Sequence, residues 1–297
     1  MSQRSTKNQK LLILLFIIFV LLFVLPVAAL QEFKEIKIFK DINYTGIKGV
    51  DPKFTSLDIY TLIESKDCPV IVFIHGGTWI QGDKGSLSKK AIAFIKANFV
   101  YVSINYRLAP DVEYPLQAHD VAKAISWIYD HISNYGGNPE NIFLLGHSAG
   151  GHLAALISTD EHYLKDLGYS TNIIRGVIGL DSAAYHLPTL IEREPENNIL
   201  FEMAFGENKE IWEKASPINF IRKGKDIPPF LLIYAGDREV SKEVNLAFAK
   251  ALESSNYPTV LYPALDKGHV SIERDLGKIG DNTIEKIFQF VKNIEKR

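Results

Sequence analysis

Cysteine is nearly absent: Cys68 is the only one in 297 residues. No disulfide can form within the chain, and a metal site built on several thiolates is excluded. An excess of charge of either sign is also missing, because 33 Lys and Arg face 35 Asp and Glu, for a net charge of -2. With no basic stripe interleaved with aromatics, that balance leaves no footprint for nucleic acid. Repeats and low-complexity linkers are lacking too, so from about Phe33 the chain reads as one globular unit. Its hydrophobic fraction, 46%, is ample for the core of a large domain.

The N-terminus is a separate object. Met1 to Lys10 carries Arg4, Lys7 and Lys10 without an acid, and Leu11 to Leu30 is uncharged and mostly aliphatic. Basic segment, apolar core and Val27-Ala28-Ala29 resemble a secretory signal cleaved after Ala29. The apolar stretch, about 20 residues, is also long enough to span a bilayer as an uncleaved anchor. Residues 1–30 are therefore expected to be a signal peptide or membrane anchor. Both place residues 31–297 beyond the membrane, periplasmic or secreted, with a tether in the second case.

Within residues 31–297, short β-branched runs alternate with helical patterns. Phe33 to Ile42 and Ser56 to Leu62 read as edge strands, with polar and apolar residues alternating. Val70 to Ile74 and Val100 to Ile104 are nearly uninterrupted apolar runs, as strands buried on both faces require. Helices are expected at about Leu87 to Ala97, Leu116 to Ser133, Ser241 to Ser254 and from Asn282. Further strands are expected at Ile142 to Leu145, Ile173 to Leu180, Phe230 to Ala235 and near Val260. The alternation predicts an α/β fold with a mostly parallel, doubly wound sheet, and working groups at the carboxyl ends of its strands. Tyr185 to Asp226 interrupts it and reads as a small helical cap insertion.

One pentapeptide carries the chemistry. Gly146-His147-Ser148-Ala149-Gly150 has the form G-x-S-x-G, follows the run Ile142 to Leu145 and leads into a helical segment. Strand, tight turn and helix make it a nucleophile elbow that lifts the Ser148 hydroxyl off the sheet. Such a serine needs a base, and the base needs an orienting acid. Of the eight histidines, His75, His119 and His131 precede the serine, whereas this architecture draws its base from the last loop. His147 and His152 are too close along the chain to turn back onto Ser148, His162 lies just past the elbow helix, and His186 opens the insertion. His269, in a polar loop between the last strand and the last helix, remains. For the acid, Asp237 and Glu239 follow the strand ending at Ala235; Asp237 is favoured as nearer the strand and shorter, with Asp181 a more distant candidate. An oxyanion forming at the substrate carbonyl calls for preorganised N–H donors. Gly76, Gly77 and Thr78 after the strand at Val70 to Ile74, with Ala149 from the elbow, are the candidates, and His75 and Trp79 would brace their loop.

His75-Gly76-Gly77-Thr78-Trp79, Asn105-Tyr106-Arg107-Leu108-Ala109-Pro110 and Gly146 to Gly151 resemble the hormone-sensitive-lipase-like and carboxylesterase-like branch of the α/β-hydrolase superfamily. The likeness runs from about Leu57 to the C-terminus. It implies the α/β-hydrolase fold and a serine esterase of short or small acyl esters, without metal or organic cofactor, whose triad by position is Ser148, Asp237 and His269. One departure is Thr78 where a third glycine is usual. The resulting H-G-G-x-W looks like kynurenine formamidases and related feruloyl- or acyl-esterases, so an aryl formamide is the alternative substrate. An extracytoplasmic location argues against that alternative, because tryptophan catabolism is cytosolic. A different reading keeps the fold without its chemistry, as a membrane-tethered binding protein.

Overall fold

The computed structural model describes residues 35–85 and 87–296. The signal-or-anchor reading of residues 1–30 lies outside them. Among the described residues no helix is long and apolar enough to cross a membrane.

The apolar runs form the strands β1 (Ile36–Asn43), β2 (Ser56–Leu62), β3 (Cys68–Ile74), β4 (Val100–Ile104), β5 (Gly137–His147), β6 (Gly176–Leu180), β7 (Phe230–Ala235) and β8 (Thr259–Ala264). Between and after them lie the longer helices α1 (Lys89–Lys96), α2 (Leu116–His131), α3 (Ala149–Thr159), α4 (Leu187–Arg193), α5 (Asn198–Phe205), α6 (Lys209–Lys214), α7 (Glu239–Ser254) and α8 (Asn282–Glu295), with single helical turns at His162–Lys165 and Ser271–Arg274. The strands make one sheet in the order β1-β2-β4-β3-β5-β6-β7-β8. β1 and β2 pair antiparallel, as do β2 and β4, and every later pairing is parallel.

Uninterrupted apolar strands make sense in such a sheet because successive side chains face opposite layers. Val70, Val72 and Ile74 of β3 pack into one core with α2, α3 and α7. Ile71 and Phe73, between them, pack into a second core with α1 and α8. β5 repeats the division, Ile142 and Leu144 against Phe143 and Leu145. The edge strand β1 is covered less well and does not keep the alternation its sequence suggests: Lys37 and Ile38 are both exposed, as are Lys40 and Asp41, and its register with β2 shifts between Phe39 and Ile42.

Parallel register aligns the ends that matter. Ile74 pairs with Gly146, and Gly146 with Gly179. The loop after β3, the turn after β5 and the residues after β6 therefore leave the sheet side by side. The insertion between β6 and β7 folds as α4, α5 and α6.

Candidate active site

Ser148 occupies a turn of one residue between β5 and α3, with φ 53° and ψ −118°. This backbone region costs a non-glycine residue about 1–3 kcal/mol and persists only where its surroundings enforce it. Here they do. The Ser148 N–H donates to the carbonyl of Leu180 on β6 at 3.0 Å, and the Ser148 carbonyl accepts from His152 N–H at 3.1 Å. A side chain at Gly146 would strike the Gly150 carbonyl, and one at Gly150 would strike the carbonyl of Ile74 on β3. Both glycines let helix and strands close around the serine.

Ser148 opens into a cavity of about 420 Å³. Gly77, Thr78 and Ala149 line it beside the serine, and His269 faces it from the loop after β8. Gly76 does not line this cavity: it borders a second cleft behind the loop, with His75 and Lys90. Thr78 and Trp79 hold φ of 52° and 61°, so the loop after β3 is as constrained as the elbow. Its brace is Trp79, whose indole N–H donates to Nδ1 of His152 at 3.2 Å; the opposite nitrogen of His152 donates to the Ala215 carbonyl at 2.7 Å. Loop, elbow helix and the end of the insertion are thus tied through one buried imidazole. Burial pushes the titration of His152 down to about 4, so the ring is neutral at neutral pH. The insertion supplies the far wall of the cavity through Leu190, Glu194, Asn197, Leu200 and Phe201.

The carboxylate bonded to the His269 ring is not Asp237, the one the sequence favours. Nδ1 of His269 lies 2.6 Å from Oδ2 of Asp181, one residue beyond β6. Asp181 is fully buried, with φ 47°. Its Oδ1 accepts from the Ala235 N–H at 2.8 Å and from the Ser241 hydroxyl at 2.5 Å. Burial alone would raise this carboxyl, but the hydrogen bonds from His269, Ser241 and Ala235 outweigh it and hold the group below the usual carboxylate range. Asp237 is exposed and engaged elsewhere: its oxygens accept from the backbone N–H of His269 at 3.1 and 3.3 Å. It anchors the loop that carries the imidazole without touching the ring nitrogens. Glu239 opens α7 with its side chain 82% exposed, paired with Lys242. β6 lies between β5 and β7, so a short side chain one residue past it reaches the imidazole first. Asp237, two residues past β7, is turned under the backbone of His269.

Arg238 and Glu194 were not singled out from the sequence. Arg238 places Nη1 3.0 Å from Nδ1 of His269 and 3.7 Å from Oδ2 of Asp181, and it is paired with Glu194. The only sequence signal was position, a cation one residue past a favoured acid. Among the described residues no group of His, Cys, Asp and Glu has the arrangement of a metal site.

Serine elbow, glycine-containing loop after β3 and a histidine after β8, on a sheet of this order, define the α/β-hydrolase fold. Esterase B from Lactobacillus rhamnosus superposes with a TM-score of 0.71 at 21% identity, covering 89% of this chain and 86% of that one. The BD-FAE family model matches residues 57–252, and the chain belongs to that family. Esterase LipQ of Mycobacterium tuberculosis is 27% identical over 228 residues, 72% of this chain and 53% of LipQ. A probable isoprenylcysteine alpha-carbonyl methylesterase of Arabidopsis thaliana, ICMEL2, is 27% identical over 219 residues, 69% of this chain and 51% of that protein. The chain spans about half the length of these curated relatives.

Proposed function

We propose that this protein is a serine carboxylic-ester hydrolase acting on small acyl esters. The observation that carries the reading is the strained Ser148 sharing one cavity with His269, whose other ring nitrogen is bonded to the buried, ionised Asp181. Relatives named as esterases support it. In this mechanism His269 takes the Ser148 proton as Oγ attacks the ester carbonyl. Asp181 keeps the proton-bearing nitrogen turned inward and stabilises the imidazolium as it forms. The N–H groups of Gly77, Thr78 and Ala149 receive the oxyanion. His269 then protonates the departing alcohol, and water, activated by the same imidazole, releases the acid from the acyl-serine.

The test is hydrolysis of short p-nitrophenyl esters together with fluorophosphonate labelling. Labelling of Ser148 and activity lost in Ser148→Ala support the reading. A folded Ser148→Ala protein with full activity overturns the mechanism. Faster turnover of N-formylkynurenine than of phenyl acetate would move the substrate to the formamide class. The basic and apolar N-terminus supports an extracytoplasmic domain, cleaved or tethered. N-terminal sequencing of the protein recovered from cells checks it, and a start at Leu30 marks cleavage after Ala29.

A further inference from the structure

Two neighbours contend for Nδ1 of His269: Oδ2 of Asp181 at 2.6 Å and Nη1 of Arg238 at 3.0 Å. They ask opposite things of it. The carboxylate accepts from an Nδ1–H, whereas the guanidinium carries only donors and needs a bare lone pair. With Nδ1 protonated, Nε2 offers a lone pair and can act as a base. In the other tautomer Nε2 already bears the proton and cannot take one from serine.

What holds Arg238 decides the contest. Oε1 of Glu194, in the loop between α4 and α5, accepts from Nε and Nη2 of Arg238 at 3.2 and 2.5 Å. Its second oxygen accepts from Asn197 Nδ2 at 3.2 Å, which fixes the carboxylate. The Arg238 and Glu194 side chains are only 20% and 15% exposed, so water screens the pair weakly. The other titratable neighbours act differently. Asp237 accepts from the His269 backbone N–H, and His147 leans its ring on the imidazole and bonds the His269 carbonyl through Nε2 at 2.8 Å.

We infer that Glu194 is a positioning residue: by gripping Arg238 through Nε and Nη2 it keeps the guanidinium from capturing Nδ1 of His269, so the imidazole stays bonded to Asp181. The insertion between β6 and β7 then does more than wall the cavity, since it sets the tautomer of the base. The inference rests on reading Ser148, His269 and Asp181 as the triad.

Glu194→Ala releases the guanidinium. With a p-nitrophenyl ester, kcat is expected to fall about 10- to 100-fold while KM changes less than about threefold. Glu194→Gln keeps an acceptor and falls between Ala and the parent. Adding Arg238→Gln to Glu194→Ala removes the competitor and recovers most of the lost kcat. The unpaired cation in Glu194→Ala also opposes the imidazolium, moving the acidic limb of kcat/KM to lower pH by about one unit. Parental kcat in Glu194→Ala overturns the inference. So does a double variant no faster than the single one, with circular dichroism and melting temperature matching the parent. Full activity in Ser148→Ala would instead remove the triad beneath it, so the two failures are told apart.

Discussion

The two halves of the site are built by different means. The half from β3 and β5 is made of backbone: a one-residue turn at Ser148, a loop through Gly77 and Thr78, and glycines that let strand and helix touch. The half from the loops after β6, β7 and β8 is made of side chains reaching across strands: Asp181, Arg238, Glu194 and His269. Backbone constraints are written in adjacent residues. A charge network depends on which strands are neighbours and which carboxylate has a free face. A string of letters therefore announces the first half and leaves the second ambiguous.

The sharpest break in the comparison is loss of the nucleophile. Ser148→Ala is expected to abolish ester hydrolysis, with kcat down about 10⁴-fold or more and the fold intact. Activity assay together with circular dichroism checks it. Retained turnover would mean the backbone half is only architecture.

The fold was legible for the same local reasons. β2, β4 and β7 have the bounds their sequence runs suggest, Ser56–Leu62, Val100–Ile104 and Phe230–Ala235, but β2 is not the edge strand its alternation implied: it lies between β1 and β4 with every residue buried. β5 begins at Gly137, earlier than its apolar run, but its register with β3 shifts there: Gly137 pairs with Cys68 and Ile142 with Val70, so the residues from Asn138 to Asn141 bulge out of the pairing. The helical insertion was readable from its break in alternation. Its contribution of Glu194 to the acid–base group was not, since nothing near Glu194 in sequence points to Arg238, 44 residues on. Asp181 was undervalued for a similar reason: its Oδ1 partners, Ala235 and Ser241, lie on β7 and α7.

The next largest effect separates the two carboxylates. Asp181→Asn is expected to lower kcat/KM about 10²- to 10⁴-fold, because the amide no longer holds Nδ1–H or balances the imidazolium. Asp237→Asn keeps an acceptor for the His269 backbone N–H and should cost less than about tenfold. Side-by-side kinetics on one ester decide it. The reverse ranking would return the acid's role to Asp237.

Acid should act on the buried imidazoles of the backbone half. Burial pushes His75, His147 and His152 down to about 4 in the folded protein. Unfolded, each takes a proton near 6.5. The unfolded chain thus binds more protons between those values, and stability falls as pH drops from about 6.5 to 4. Near pH 5 three such groups give a slope of at most about 4 kcal/mol per pH unit. Asp181 acts in the same direction lower down, since its depressed titration stabilises the fold above the unfolded carboxylate value and is lost below it. Urea midpoints at pH 7 and pH 5 measure the effect. Equal midpoints would mean these rings are not kept neutral by burial.

The smallest effect concerns the residue that joins the oxyanion loop to the insertion. His152 accepts from the Trp79 indole and donates to Ala215, and all three groups are buried. His152→Leu fills much of the space but orphans one donor and one acceptor, a loss of about 2–4 kcal/mol in unfolding free energy. Trp79→Phe orphans only one nitrogen and should cost less than that. Combining them should cost less than the sum, because the indole donor is then gone when its acceptor is removed. Denaturant titration of the two single variants and the double supplies the coupling. His152→Leu should also flatten the pH 5 slope by one proton, which a purely steric role would leave unchanged. Additive losses with an unaltered slope would mean that loop and insertion are held independently, and that the backbone half of the site owes nothing to the segment that carries Glu194.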